Sequence, residues 1–297
     1  IILGLLGDDT IQGDGSIDTN ATASRDSGGL SVTPSVESEF DGDDYIEGNG
    51  GSDVVFGNLG QDDIIGGSST LFPGLVEAGV DRTDGSDLLF GGAGTAIGRN
   101  LVDDVSWSRD ADTIAGDNAN ILRLIGTNGT PTTGFLSFGY DTSGLIPRAV
   151  ELIEYTQGGN TSSGDLGAAD EIHGESGNDE IYGQSGSDLL FGDAGNDDII
   201  GGWGHEWISG GTGIDGILGD DGRIYTSVNG TDEPLYGISI DPRELDKTIS
   251  TPGKVQQSVI NVSGELRKSV NLTPFNVDTS PLQDPLFDAP DADDILF

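Results

Sequence analysis

The chain has 297 residues and a formal net charge of −40, from 52 acidic side chains against 12 basic ones. Nucleic acid and anionic membranes are bound by clustered Lys and Arg, so this balance excludes both as partners, and the compact state needs cations to offset its self-repulsion. Cysteine is absent, so no disulfide staples the fold, and no run reaches the ~20 apolar residues of a membrane-spanning helix.

Fifty glycines mark a repeat. In a nine-residue frame the first and fourth positions are glycine, the sixth is acidic and the eighth is aliphatic. The frame opens at Gly4, with Asp9 sixth and Ile11 eighth, and breaks after Gly13. It resumes with Asp44, Asp53 and Asp62, whose aliphatics are Ile46, Val55 and Ile64, and breaks again after Gly66. Two isolated units follow, Asp87 with Leu89 and Asp112 with Ile114, separated by breaks after Gly91 and Gly116. The longest run then carries Asp170, Asp179, Asp188, Asp197, Glu206 and Asp215 over Ile172, Ile181, Leu190, Ile199, Ile208 and Ile217. After a fifth break behind Gly219, one more unit closes on Asp294 and Leu296. Twelve Asp, one Glu and thirteen aliphatics at fixed positions are a pattern that composition alone does not produce, and a disordered acidic tail would show no such order.

Each position has a physical task. Glycine permits the backbone angles of a tight six-residue turn. Three residues then form a strand whose middle side chain points inward. Two units make one coil, so turns on one side recur every eighteen residues and stack at the strand spacing of about 4.8 Å. Carboxylates of adjacent coils are thereby expected to converge, with turn carbonyls, on a hard cation. Calcium, with six to eight oxygen ligands and flexible geometry, suits such a gap better than magnesium.

The frame resembles the RTX family, the haemolysin-type calcium-binding repeats with the pattern GGxGxDxUx, a repeat also described generally as a calcium-binding parallel β-helix. The resemblance implies an all-β parallel β-roll, a right-handed solenoid with two nonapeptide units per coil. It also implies several Ca2+ ions, held by Asp9, Asp44, Asp53, Asp62, Asp87, Asp112, Asp170, Asp179, Asp188, Asp197, Glu206, Asp215 and Asp294. The best sites pair sixth positions of stacked coils, such as Asp179 with Asp197. Asp188 with Glu206 departs from the pattern, because Glu is too long for a turn built for Asp. Family members are secreted by bacteria through a type I route and include toxins, proteases, lipases and surface adhesins. The implied localisation is therefore extracellular or cell surface.

All five breaks fall inside turns, where insertions are tolerated, so the expected organisation is a roll over 1–116 with short insertions, an inserted hairpin over 117–166, an uninterrupted roll over 167–221, an inserted β/loop region over 222–290 and a resumed roll over 291–297. The first three insertions are expected to be ordered only locally. Strand-like runs at Ile121 to Ile125 and Ala149 to Thr156 point to an outward hairpin in the fourth. The fifth carries runs at Val255 to Val262 and Leu266 to Leu272, and with Arg243, Lys247, Lys254, Arg267 and Lys268 it offers a basic patch for docking on a neighbouring roll, or lysines guarding an exposed strand edge.

Catalytic signatures are missing. His205 and Glu206 stand in Trp-Gly-His-Glu-Trp without the second histidine of a zinc-protease motif, and no nucleophile elbow or P-loop occurs. No enzymatic activity is expected. Trp203 and Trp207 offer a sugar- or protein-binding platform, against which stands plain packing. Both ends enter the pattern midway, which fits a segment of a giant surface or filament protein, or copies stacked end to end. The leading expectation is a calcium-hardened structural module that presents its inserted loops, and the alternative is the secretion and folding module of a toxin or enzyme.

Overall fold

The computed structural model describes residues 1–15, 20–72, 84–95, 107–123, 144–155, 165–227, 238–239, 267–271 and 294–297. Among these residues the chain is all-β, with one short 3-10 turn at Trp107–Asp110 and no α-helix.

Fourteen short strands make two seven-stranded parallel sheets, a β-roll-like arrangement. The first sheet runs Ile2–Leu3, Tyr45–Glu47, Asp63–Ile65, Thr113–Ala115, Glu180–Gly186, Asp198–Gly204, Gly216–Leu218. The second runs Thr10–Gln12, Val54–Phe56, Leu88–Phe90, Glu171–His173, Leu189–Phe191, Trp207–Ser209, Ile295–Leu296. Consecutive repeats alternate between the sheets. Parallel neighbours need a crossover of a dozen or more residues, and here that crossover is the opposite sheet's strand with its two turns.

The register aligns the eighth positions. Ile46, Ile64, Ile114, Ile181 and Ile199 are successive partners in the first sheet, and Val55, Leu89, Ile172, Leu190 and Ile208 in the second. With Ile11 they form one buried column between the sheets, against which Ile2 and Ile217 pack. Leu296 stays 49% exposed at one end of the second sheet. Each strand thus gives the core a single side chain, worth about 1.5–3 kcal/mol when fully buried. A lone repeat cannot enclose it, and stability comes only with stacking.

The outer faces carry further apolar layers. Ala119–Arg123 pairs antiparallel with Arg148–Leu152, and Arg223–Ser227 with Arg267–Asn271. Ile121, Val150 and Ile224 cover Ile65, Ala115, Tyr182 and Ile200 of the first sheet. The hairpin of the fourth insertion therefore lies flat on the roll instead of projecting outward, because its alternating apolar face finds an apolar partner there. A correction also applies to the first insertion. Thr22–Asp26 and Gly29–Thr33 form a hairpin, and Ala23, Leu30 and Val32 pack over Phe56 and Phe90 of the second sheet. Its order is tertiary as well as local. The run Val255 to Val262, with Arg243, Lys247 and Lys254, lies outside the described residues.

Candidate metal centre

The sixth-position carboxylates fall into two rows, one beside each sheet's entry turns. Asp9, Asp53, Asp87, Asp170, Asp188, Glu206 and Asp294 precede the second sheet's strands, and Asp44, Asp62, Asp112, Asp179, Asp197 and Asp215 those of the first. Nine are buried, while Asp9, Asp44, Asp215 and Asp294, at or near the row ends, are partly exposed.

Within a row each Asp Oδ1 accepts the backbone N–H of the preceding coil's sixth residue. In one row Asp53, Asp87, Asp170 and Asp188 accept from Asp9, Asp53, Asp87 and Asp170 at 2.7, 2.7, 2.8 and 2.9 Å. In the other, Asp62, Asp112, Asp179, Asp197 and Asp215 accept from Asp44, Asp62, Asp112, Asp179 and Asp197 at 2.7–3.1 Å. Asp294 accepts from Glu206 at 3.2 Å. The Asp188–Glu206 junction makes no such bond, since the extra methylene carries the Glu206 carboxylate past the Asp188 N–H. In each Asp that accepts such a bond, one carboxylate oxygen is engaged in a ladder along the stack.

The other oxygen is free. Oδ2 of Asp9, Asp53, Asp62, Asp87, Asp112, Asp170, Asp179, Asp188 and Asp197, and both Glu206 oxygens, are buried without a hydrogen-bond partner. Such an atom costs about 1–3 kcal/mol, more when charged. The first glycine of each unit shows what surrounds it. A Cβ at Gly48 would strike Asp53 Oδ2 and Gly66 O; one at Gly91 would strike Asp112 Oδ2 and Gly174 O; one at Gly174 would strike Asp179 Oδ2 and Gly192 O. At the breaks the same glycine serves the aspartate beyond the insertion, as Gly116 does for Asp170 and Gly219 for Asp294. Ten of the thirteen units thus hold a slot lined by a carboxylate oxygen and a carbonyl, too narrow for a methyl group; at the units of Glu206, Asp215 and Asp294 one of the two is missing from the nearest atoms.

Electrostatics make the slots cation-hungry. Burial first, then neighbouring carboxylates, hold Asp62, Asp112, Asp170, Asp179 and Asp197 well above the usual carboxylate range. Asp87 is pushed up to about 9, Asp188 to about 7 and Glu206 to about 10, with burial the main cause in each. A hard cation would remove this penalty, and the donors on offer are all oxygen, the set calcium prefers. Among the described residues no three acidic or histidine side chains form a metal-holding group by themselves. Carbonyls therefore have to complete any coordination shell.

Carboxylates on the sheet faces differ. Asp63 accepts from Arg148 Nε at 2.8 Å and Arg123 Nε at 2.7 Å, and Asp198 from Lys268 Nζ at 2.6 Å. Arg25 of the first insertion pairs with Glu171. Lys268 also donates to Asn196 O, so this basic side chain of the fifth insertion docks on its own roll. These pairs escaped sequence reasoning, because partners sixty or more residues apart carry no local signal. A second omission did leave a trace. The residue after the glycine at a break is Asp in three cases, Asp14, Asp117 and Asp220. Asp14 Oδ2 accepts from Gly42 N–H at 2.5 Å and Asp117 Oδ1 from Ala168 N–H at 2.9 Å, clasping the mouth of each inserted loop.

The tryptophans do not share a platform. Trp203 lies in a strand of the first sheet with its Nε1 buried and unpartnered, and Trp207 lies in the second sheet. Trp207 belongs to an outer-face ladder, Phe56–Phe90–His173–Phe191–Trp207–Phe297, with ring centroids 4.4–5.4 Å apart. Trp207 packs at a tilt between Phe191 and Phe297, the plain-packing arrangement. His205 is exposed.

A family model for the RTX calcium-binding nonapeptide repeat matches the chain in four copies, over residues 40–69 and 166–199. The chain thus carries RTX repeats, and repeats of this kind bind calcium. No curated protein and no solved structure matches it.

Proposed function

We propose that this chain is a calcium-hardened structural module of an extracellular bacterial surface, adhesin or filament protein, a right-handed roll of two repeats per coil that folds on calcium binding after secretion. Its thirteen sixth-position carboxylates supply the side-chain ligands, and first-glycine carbonyls complete them. The observation that carries the reading is the file of buried, partnerless Oδ2 atoms facing carbonyls. Such a file is costly when ionised and empty, and favourable with divalent cations in it. Extracellular calcium modules bind at roughly 10⁻⁴ to 10⁻³ M, so the sites would stay empty in a low-calcium cytosol and fill outside. Metal binding then contributes folding free energy. The role is presentation and stiffness, with no catalysis of its own, and docked insertions give the roll shaped outer faces.

Circular dichroism during a calcium titration, with magnesium as control, tests this. The expected result is a cooperative gain of β-signal near millimolar calcium that magnesium does not reproduce. Full β-structure in chelator at neutral pH would overturn calcium-driven folding. The other reading, a folding module for a toxin or enzyme domain, is favoured by the uninterrupted repeats at 174–218, the form such a module needs. It predicts that deleting the hairpin at 22–33 leaves function of the parent protein intact, whereas a presenting module loses it.

A further inference from the structure

On the outer face of the first sheet, under the fifth insertion, an amine and a carboxyl group are buried against each other. Glu180, Asp198 and Gly216 are successive register partners on neighbouring strands. Lys268, the one lysine among the described residues, enters from the strand Arg267–Asn271 and places Nζ 2.6 Å from Asp198 Oδ1. Its stem crosses Gly216, where a Cβ would meet Ile224 Cγ2 at 2.8 Å, Asp198 Oδ1 at 2.9 Å and Lys268 Cδ at 3.3 Å. The missing side chain at 216 is what lets the lysine in.

We propose that Lys268 and Asp198 condense to an intramolecular isopeptide bond, a covalent staple between the fifth insertion and the roll, with Glu180 as the proton carrier. Both side chains of the pair are 8% exposed, so water is nearly excluded. Nζ is fixed by further bonds to Asn196 O at 2.9 Å and Thr226 Oγ1 at 3.1 Å. Thr226 Oγ1 in turn donates to Asp198 Oδ2 at 2.7 Å. That hydroxyl holds the oxygen on which negative charge develops when Cγ is attacked, the task of an oxyanion donor. Glu180 is 7% exposed, stands beside Asp198 in the sheet, and its Oε2 is buried without a hydrogen-bond partner. The other pairs on the faces offer no such reaction, since Asp63 and Glu171 meet guanidinium groups, which do not give up their protons to become nucleophiles.

The step balances with the groups present. Lys268 passes one proton to Asp198 Oδ1 across their contact, and the freed lone pair attacks Asp198 Cγ. Glu180 carries a second proton from the nitrogen to Oδ1, which leaves as water. One C–N bond forms, one C–O bond breaks, nothing is oxidised or reduced, and Glu180 ends as it began. Free acid and amine do not condense in water, but groups held in reacting geometry behave as if at effective molarities of roughly 10⁵–10⁸ M. The bond closes a ring between residues 198 and 268 and does in this cysteine-free chain what a disulfide does elsewhere. It goes beyond the calcium reading, because the staple persists when cations are removed.

Mass spectrometry of the full chain, folded in calcium and then denatured, tests it. The expected result is an intact mass one water below that of the sequence, and a branched proteolytic peptide joining the segments that carry Asp198 and Lys268. Asp198→Ala and Lys268→Arg should keep the full mass, the second while retaining the charge pair. Glu180→Gln should slow formation of the bond by roughly 10²-fold or more, with the calcium-loaded dichroism of the wild type. Should that variant fail to fold, the wild-type mass and the branched peptide alone decide. Wild type at its full sequence mass overturns the proposal and leaves an ion pair, and an unchanged rate in Glu180→Gln overturns the part given to Glu180.

Discussion

Turn rows and sheet faces solve the same electrostatic problem in different ways. On the faces, acidic side chains under the insertions meet Arg148, Arg123, Lys268 and Arg25, side chains delivered from far along the sequence. In the turns, a comparable density of carboxylate receives only backbone N–H groups on one oxygen and nothing on the other. The contrast follows from geometry. A slot that excludes even a methyl group cannot admit a guanidinium, whereas an outer face is open to any loop that folds over it. Neutralisation is therefore built in on the faces and left to a soluble ion in the turns.

That contrast can be broken most forcefully at a first glycine. Gly91→Ala should prevent calcium-dependent folding of the coils around it, because its methyl must displace Asp112 Oδ2 or Gly174 O. Both partners are held by the stack, so the cost should exceed the ~1–3 kcal/mol of ordinary overpacking. Loss of the calcium-induced dichroism change is the expected outcome, and a normal titration would refute the slot.

Next in size is the face itself. Arg148→Ala leaves Asp63 buried beside a single remaining guanidinium, and breaking a buried pair costs about 3–5 kcal/mol. The loss should be of the same size at millimolar and at tenfold higher calcium in urea unfolding. A defect that calcium repairs would mean that the two regions are not independent.

The pH response should also separate them. Without cations, the folded state holds protons on Asp188 up to about pH 7 and on Asp87 up to about pH 9, whereas the unfolded chain releases them near pH 4. The folded state then binds more protons across that window, so cation-free stability is greatest in acid and falls as pH rises through it. Calcium should reverse the trend, since protons compete for its ligands. A β-signal in chelator that grows between pH 5 and pH 8 would contradict this. On the faces, His173 between Asp193 and Glu171 is pushed up to about 9 by those carboxylates, against the effect of burial. Its contribution is complete below pH ~6.5 and is lost as pH climbs through about 9, whatever the calcium level. Titration of its ring protons by NMR checks the value.

The smallest effect is a gain. Glu206→Asp should supply the absent bond to the Asp188 N–H and raise calcium-loaded stability by about 0.5–1.5 kcal/mol. An unchanged melting temperature would mean that the junction fails for another reason.

Much of the site was legible from residues 174 to 218 alone. A strict period fixes which residue faces inward and which carboxylate recurs above which, because equal spacing along a chain becomes vertical alignment once it coils. The departure at Glu206 was readable for the same reason, as a change in side-chain length at a position of fixed geometry. The insertions obey no period. That Ile121 and Val150 lie on the first sheet, that Ala23 and Val32 cover Phe56 and Phe90, and that Lys268 reaches Asp198 depended on which surfaces the finished roll left apolar or acidic. Local spacing determined the roll and its rows of carboxylates, since those contacts repeat every eighteen residues. Contacts across unequal loops were decided in three dimensions, because the free energy of a docked face belongs to the pair of surfaces and is written in neither segment alone.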